Sequence, residues 1–355
     1  MLELVAYDKT GAFLQILTPL SAHVDLLWNK VSFAELVFRD DDRALQALAA
    51  GSRVAAFWDA VQVMRGPVVK WDGAGPVGEV TVTVEDDFRV FRNLGWPKPD
   101  ALITAQTDEF KRYEGPTETV IKDAVADLAT VLGESWTVGA SAGLGSTQRV
   151  EVRFDPLVDT LGPLADADLL TWAISDGVVT VTEGELFPRE LTVESGVLGS
   201  YKWSLSAPTV TRAVVGGEGD GASRVLREYT DSAREATWGF KSAKFVDSKL
   251  AEGVTDLSPD AAVAFAEGSG GASVSSELVE NSWFRFGKYK VGDRVHVVVG
   301  PVDTTEVIRR VTIDASPADG EVVVPFIGDV SGSDDTFLAG QVAMLARGVR
   351  AQGRR

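Results

Sequence analysis

"VGDRVHVVVGPVDTTEVIRRVTI", Val291 to Ile313, places β-branched residues at alternate positions on both sides of a Gly-Pro pair. A half-buried antiparallel strand needs this period of two, because successive side chains leave opposite faces of the pleat. Two further stretches repeat the pattern, "EVTVTVEDDFRVF" (Glu79 to Phe91) and "TWAISDGVVTVTEG" (Thr171 to Gly184). In the second, Asp176-Gly177 supplies the positive φ angles of a two-residue type I′ turn, which predicts a hairpin. Helical spacing is rarer. Val120, Ile121, Ala124, Val125, Leu128 and Leu132 form one stripe in Glu118 to Leu132, entered through Gly115-Pro116-Thr117 and closed by Gly133. Arg43 to Ala50 and Asp334 to Arg347, the latter capped by Ser333, read as two more helices. About fifteen strands with three helices make a mainly-β or α+β protein.

The 355 residues, 45% hydrophobic and 24% charged, suit a globular chain of several domains rather than a disordered one. A formal charge of -18 repels a phosphate backbone and an anionic membrane surface, so sequence-specific nucleic-acid binding and stable membrane insertion are not expected. With no cysteine, disulfides, thiolate metal sites and a cysteine nucleophile are excluded. The N-terminus "MLELVAYDKTG" lacks a basic start and a signal-type cleavage site, and no apolar run is long enough to span a bilayer. The protein is expected to begin in a cytoplasm.

Gly217-x-Gly219-x-x-Ala222 follows an apolar run, as in a dinucleotide-binding turn, with Asp247 standing where a ribose-binding acid would. The segment after it is broken by Thr230-Asp231-Ser232 and ends in Trp238-Gly239, a poor crossover helix, so a tight bulged turn is the expected role. Gly139-Ala-Ser141-Ala-Gly143 matches a nucleophile elbow, yet more glycine and a strand follow instead of a helix. Its only candidate base, His296, lies in an alternating strand, and a flexible loop is expected. His23 and His296 are too few for a zinc set, and no calcium loop is present. No catalytic, metal or cofactor-binding residue is therefore expected. Asp40-Asp41-Asp42 reads as a cap for the following helix. Trp28, Trp58, Trp71, Trp172, Trp203, Trp238 and Trp283 sit mostly in strands, where packing is the ordinary role and ligand stacking the alternative. Arg347, Arg350, Arg354 and Arg355 make a basic end on an acidic chain, a solvated tail or a contact for an acidic neighbour.

Gly/Ser-rich loops at Gly139 to Ser146 and Gly268 to Ser273, and the Pro97-Lys98-Pro99 turn, mark boundaries. Expected units are 1–97, 98–200 carrying the helix 118–132, 201–330, and a C-terminal helix and tail over 331–355. No solenoid or propeller repeat is present.

Taken in order, six segments resemble the distal tail hub proteins of long-tailed actinobacteriophages, themselves similar to contractile-tail baseplate hubs. They are "WNKVSFAELVFRDDDRALQALAAGSRVAAFWD" (Trp28 to Asp59), "RGPVVKWDG" (Arg65 to Gly73), "RVEVRFDPLVDTLGPLA" (Arg149 to Ala165), "PTVTRAVVGGEGDGASR" (Pro208 to Arg224), "WGFKSAKFVDSK" (Trp238 to Lys249) and "KYKVGDRVHVVV" (Lys288 to Val299). The resemblance implies a non-enzymatic homotrimer of β-barrel-like and sandwich-like modules, ringed at the end of the tail tube. Its implied partners are a distal tail or tube protein, the tape measure protein and other tip proteins, with DNA passing through the lumen. It places the glycine cluster at 217–222 in a structural loop. Many longer hubs add a wall-degrading or receptor-binding region, for which this sequence has no room after Arg355. A carbohydrate- or receptor-binding tip module and a peptidoglycan hydrolase are the alternatives.

Overall fold

A computed structural model describes residues 1–73, 78–219, 221–248, 256–317 and 320–328. The helix expected over Asp334 to Arg347, its cap Ser333 and the C-terminal arginines lie outside the described residues.

The chain opens with β1 (Leu2–Tyr7), β2 (Phe13–Leu17), β3 (Ser21–Leu27) and β4 (Phe33–Arg39). A short helix α1 (Arg43–Ala47) precedes β5 (Arg53–Trp58), β6 (Val61–Gly73) and β7 (Glu79–Glu85). Asp42 accepts a hydrogen bond from the Ala44 amide at 2.7 Å, so the acidic run does cap α1. The end of the alternating stretch after Glu85 departs from the strand expected there. Asp87–Arg92 is a 3-10 helix, because Phe88 and Phe91, three apart, are both buried, which a strand of period two does not allow.

A middle unit follows: β8 (Lys111–Pro116), α2 (Thr117–Leu132), β9 (Thr137–Val138), β10 (Thr147–Val152), α3 (Leu157–Ala167), β11 (Leu170–Ser175) and β12 (Val178–Glu183). The predicted stripe of α2 is buried except at Leu132, and Gly133 ends the helix with φ 69°. Asp176 and Gly177 have φ 50° and 75°, the type I′ hairpin read from the sequence. Phe88, Phe91, Ile121, Leu128, Leu161 and Trp172 anchor the core of this unit.

After β13 (Leu191–Thr192) and β14 (Leu198–Ser206) comes a small third unit. It holds β15 (Arg212–Gly216), β16 (Leu226–Thr230), α4 (Ser232–Trp238), β17 (Ala243–Asp247) and α5 (Ser258–Glu267), with Ala213, Val215, Leu257 and Ala261 in its core. The chain then returns through β18 (Gly271–Leu278), β19 (Arg294–Val299), β20 (Val302–Ser316) and β21 (Gly320–Ile327).

The strands of the first and last parts form one 13-stranded sheet with the path β14-β18-β21-β20-β3-β4-β7-β6-β5-β1-β2, and β19 and β13 branch from β20. The join is β20, 15 residues long. Its first half pairs with β19 and its second half lies between β3 and β21, from Arg310 opposite Leu27 to Ala315 opposite Ala22. A single core therefore contains Leu36, Phe38 and Val82 together with Val297, Ile313 and Ile327. The mainly-β, α+β class stands. The modules are not closed barrels, however: among the described residues the sheet runs on through β20 instead of returning to its first strand, and the path has two free ends.

Candidate functional site

The middle unit meets the large sheet at a cleft of about 310 Å³. One wall comes from the β3–β4 connection and β6, the other from β11, and the 3-10 turn after β7 closes the base. Four contacts staple the walls. Trp28 Nε1 donates to Thr171 Oγ1 at 2.8 Å, and Gln62 Nε2 to Ser175 Oγ at 3.1 Å. Arg65 pairs with Asp176 at 2.5 Å, giving the turn aspartate a second role. Asn29, with φ 51°, donates to Asp166 and to the Leu170 carbonyl, both at 2.9 Å, and accepts from the Trp172 amide at 3.0 Å. With its walls fixed, the cleft is preformed.

Gly66 makes this junction possible. A Cβ there would stand 1.8 Å from the Glu85 carbonyl oxygen and 2.7 Å from the Asp86 Cα, so only glycine lets β6 pass the end of β7. Asp86 lines the cleft, and burial pushes its carboxyl up to about 7 against hydrogen bonds from Ser32 that pull it down. Five buried side-chain polar atoms lack a hydrogen-bond partner among the described residues: Trp58 Nε1, Arg65 Nε, Asp86 Oδ1, Trp172 Nε1 and Arg309 Nε. Arg65, Asp86 and Trp172 line the cleft. Trp58 lies 5.5 Å from the ring of Phe286, and Arg309 lies 4.7 Å over the ring of Trp28, both of which line it too.

Neither glycine motif forms the site its spacing suggests. β15 and β16 form an antiparallel hairpin, closed by the Gly217 amide on the Val225 carbonyl at 2.8 Å. Gly219 has φ 103°, and a Cβ on it would meet the Ser223 carbonyl at 2.8 Å. The loop is thus backbone geometry, as expected. Arg224 fills its mouth by donating to the carbonyls of Gly216 and Gly217 and pairing with Asp247.

The Gly139 to Ser146 loop, expected to be flexible, is tethered. Glu118, 2% exposed, accepts from the amides of Ala142 at 2.9 Å and Leu144 at 3.0 Å and from Lys122 Nζ at 2.6 Å, while Lys122 also reaches the Ala140 carbonyl. Burial would raise the Glu118 carboxyl, but the two amides and Lys122 outweigh it and hold the group down at about 2. Ser141 Oγ is engaged by Thr119 at 2.8 Å and by the Gly143 amide at 3.1 Å. His296 Nε2 instead faces Asp303 at 2.7 Å, so serine and histidine are not partners. His23 lies on another strand with Asp314 at 2.7 Å from its Nδ1. Among the described residues no cluster of three or more such ligands is placed to hold a metal ion, and no helix is long and apolar enough to cross a membrane.

The two free ends of the large sheet are apolar. β2 exposes Phe13 and Ile16, at 62% and 55%, and β14 exposes Tyr201, Trp203 and Leu205 at alternate positions of one face. The tryptophans accordingly divide: Trp28 and Trp172 are buried, Trp58 and Trp283 pack against the main core, and Trp71, Trp203 and Trp238 are exposed.

Residues 7–329 match the family model described as Siphovirus ReqiPepy6 Gp37-like protein. The chain belongs to this siphovirus family. Its fold is that of phage tail proteins. The prophage tail protein gp18 from Listeria monocytogenes superposes with a TM-score of 0.61 at 11% identity, covering 97% of this chain and 99% of that one. The 43 kDa tail protein of prophage MuSo2 from Shewanella oneidensis gives 0.56 at 13% identity, over 92% and 97% of the two chains. A tail protein from Neisseria meningitidis gives 0.54 at 13% identity, over 93% and 97%. A search of curated proteins gave no match. What sequence reasoning missed was the cleft, whose residues come from stretches far apart in the chain, from Leu26 to Val291. Asn29 and Gly66 are the only local signals of it, one a left-handed asparagine and the other a glycine inside a strand pattern.

Proposed function

We propose that this family member is the hub at the distal end of a long tail. Three copies form a ring that closes the tail tube, contacts the distal tail or tube protein and the tip proteins, and gives the tape measure protein its platform. The observation that carries the reading is the pair of apolar strand edges at opposite ends of one sheet. Such edges invite pairing with another chain, and a subunit with two different sticky edges joins head to tail into a ring. The acidic charge suits a lumen that releases passing phosphates. The four segments read from the sequence, 1–97, 98–200, 201–330 and 331–355, are proposed as the plan of the chain, with strands of the first and third sharing one sheet and core. Assembly takes place in the host cytoplasm and the product resides at the virion tail tip.

The test is a phage with an early nonsense mutation in this gene. Tails fail to form if the hub is the platform for the tape measure and tube, and abundant normal-looking tails that merely adsorb poorly overturn the proposal. Averaged images of wild-type tails are expected to show this chain with threefold symmetry, and sixfold placement contradicts it.

A further inference from the structure

We propose that the C-terminal segment 329–355 folds back on its own chain as an amphipathic helix and covers the apolar face of β14. The proposal does not depend on ring assembly. β14 and β18 pair antiparallel as a ribbon, with Tyr201 opposite Ser276, Trp203 opposite Val274 and Leu205 opposite Ala272. Residues directly opposite each other point to the same side of a sheet. Val274 is fully buried in the main core, and Ala272 packs against that core. Tyr201, Trp203 and Leu205 therefore stand on the core side of the ribbon, and Lys202, Ser204 and Ser206 on the other. Yet the three apolar side chains remain 38%, 46% and 50% exposed. The core side of the sheet thus runs past its cover at its last strand, and a stripe of large apolar groups left there calls for another layer.

The point at which the last strand ends selects the occupant. Ile327 pairs with Ser276, and Gly328 lies so close to β18 that a Cβ on it would stand 2.2 Å from the Val274 carbonyl oxygen. Residues 329–355 therefore set out beside β18, on the path β14-β18-β21. β14 is two strand spacings from β21, about 10 Å, and Asp329 to Ser333 can extend over about 17 Å. The helix read from the sequence over Asp334 to Arg347 would be about 21 Å long, against about 13 Å for Tyr201 to Leu205. Its Leu338, Val342 and Leu345 recur at i, i+4 and i+7, a single apolar stripe with Phe337 beside it. The arginines at 347, 350, 354 and 355 follow the stripe and stay in water. Docked in this way, the helix covers the face of β14 and leaves unpaired the strand edge that the proposed ring contact uses.

The chain has no cysteine, so an introduced thiol is a unique reporter. Leu205→Cys on the β14 face and Phe13→Cys on the exposed β2 end are made separately in the full chain, and labelling of the dilute protein by iodoacetamide is followed by intact-mass spectrometry. Adding Val342→Asp and Leu345→Asp, which break the stripe, is expected to speed labelling of Leu205→Cys about tenfold and to leave the rate for Phe13→Cys unchanged. The two aspartates lie beyond the last strand, and the melting temperature is expected to hold within about 2 °C. Leu205→Cys is then combined in turn with Leu338→Cys, Val342→Cys and Leu345→Cys, and mild oxidation is expected to close a disulfide within one chain in at least one pair. The proposal is overturned if the aspartates leave the labelling of Leu205→Cys unchanged, if none of the three pairs crosslinks, or if crosslinks form only between chains, which would seat the segment on a neighbouring copy.

Discussion

Replacing Glu118 by glutamine removes the charge that tethers the Gly139 to Ser146 loop to α2, and the structure sets the size of the effect. The carboxylate is 2% exposed and takes three hydrogen bonds, from two loop amides and from Lys122, whose own side chain is 11% exposed. The Glu118→Gln side chain would retain an acceptor for one amide and leave the lysine buried without its counter-charge. Breaking a buried pair in this way costs about 3–5 kcal/mol. The titration of Glu118 gives a second route to the magnitude. Its carboxyl is held at about 2 instead of the ordinary 4.5, which corresponds to ~3 kcal/mol. Because the folded value is the lower one, this stability is complete above about pH 4.5 and is lost as pH falls toward 2. Urea unfolding followed by helix circular dichroism is expected to show the variant about 3 kcal/mol less stable at pH 7, with the difference shrinking through that acid window. Hydrogen exchange at the Ala142 and Leu144 amides is expected to accelerate in step. A loss under about 1 kcal/mol with unchanged exchange at these amides would refute the reasoning, since the loop would then hold its shape without the carboxylate.

Five other substitutions probe the rest of the architecture. Gly66→Ala drives a methyl to within 1.8 Å of the Glu85 carbonyl and is expected to abolish soluble expression, while Gly133→Ala, with open space around it but φ 69°, costs about 1 kcal/mol in a thermal melt. Asp86 behaves oppositely to Glu118: its folded value of about 7 lies above the ordinary 3.8, so stability falls as pH rises between them, and Asp86→Asn is expected to remove about 2 kcal/mol of the decline between pH 5 and 7, measured by urea unfolding. Leu205→Lys and Phe13→Lys, on the two exposed sheet ends, are expected to leave the melting temperature of the isolated chain within about 2 °C, yet block incorporation into tails when supplied in trans to the nonsense mutant; normal incorporation of both variants counts against the edge contacts.

Local patterns were sufficient for much of this molecule. The period of two in Val291 to Ile313 gave β19 and β20, Asp176-Gly177 gave the hairpin of β11 and β12, and the stripe from Val120 to Leu128 with Gly133 gave α2. Each is a property of a few neighbouring residues, set by side-chain alternation, turn dihedrals and helical spacing. The dismissal of the two glycine motifs was equally local, since both required a following helix that the sequence did not offer. The tertiary structure decided what depends on distant partners. Pairing of β20 with β3 joins residues 285 apart in the Arg310–Asp25 contact, and no periodicity specifies which edge a strand will find. Whether the loop at 139–146 is loose or held depends on Glu118 and Lys122, which α2 carries beneath it. The cleft depends on Gly66, Asp86 and Trp172 meeting across more than a hundred residues, because burial and unpaired polar atoms are created by the packing of one unit on another and are not properties of any segment alone.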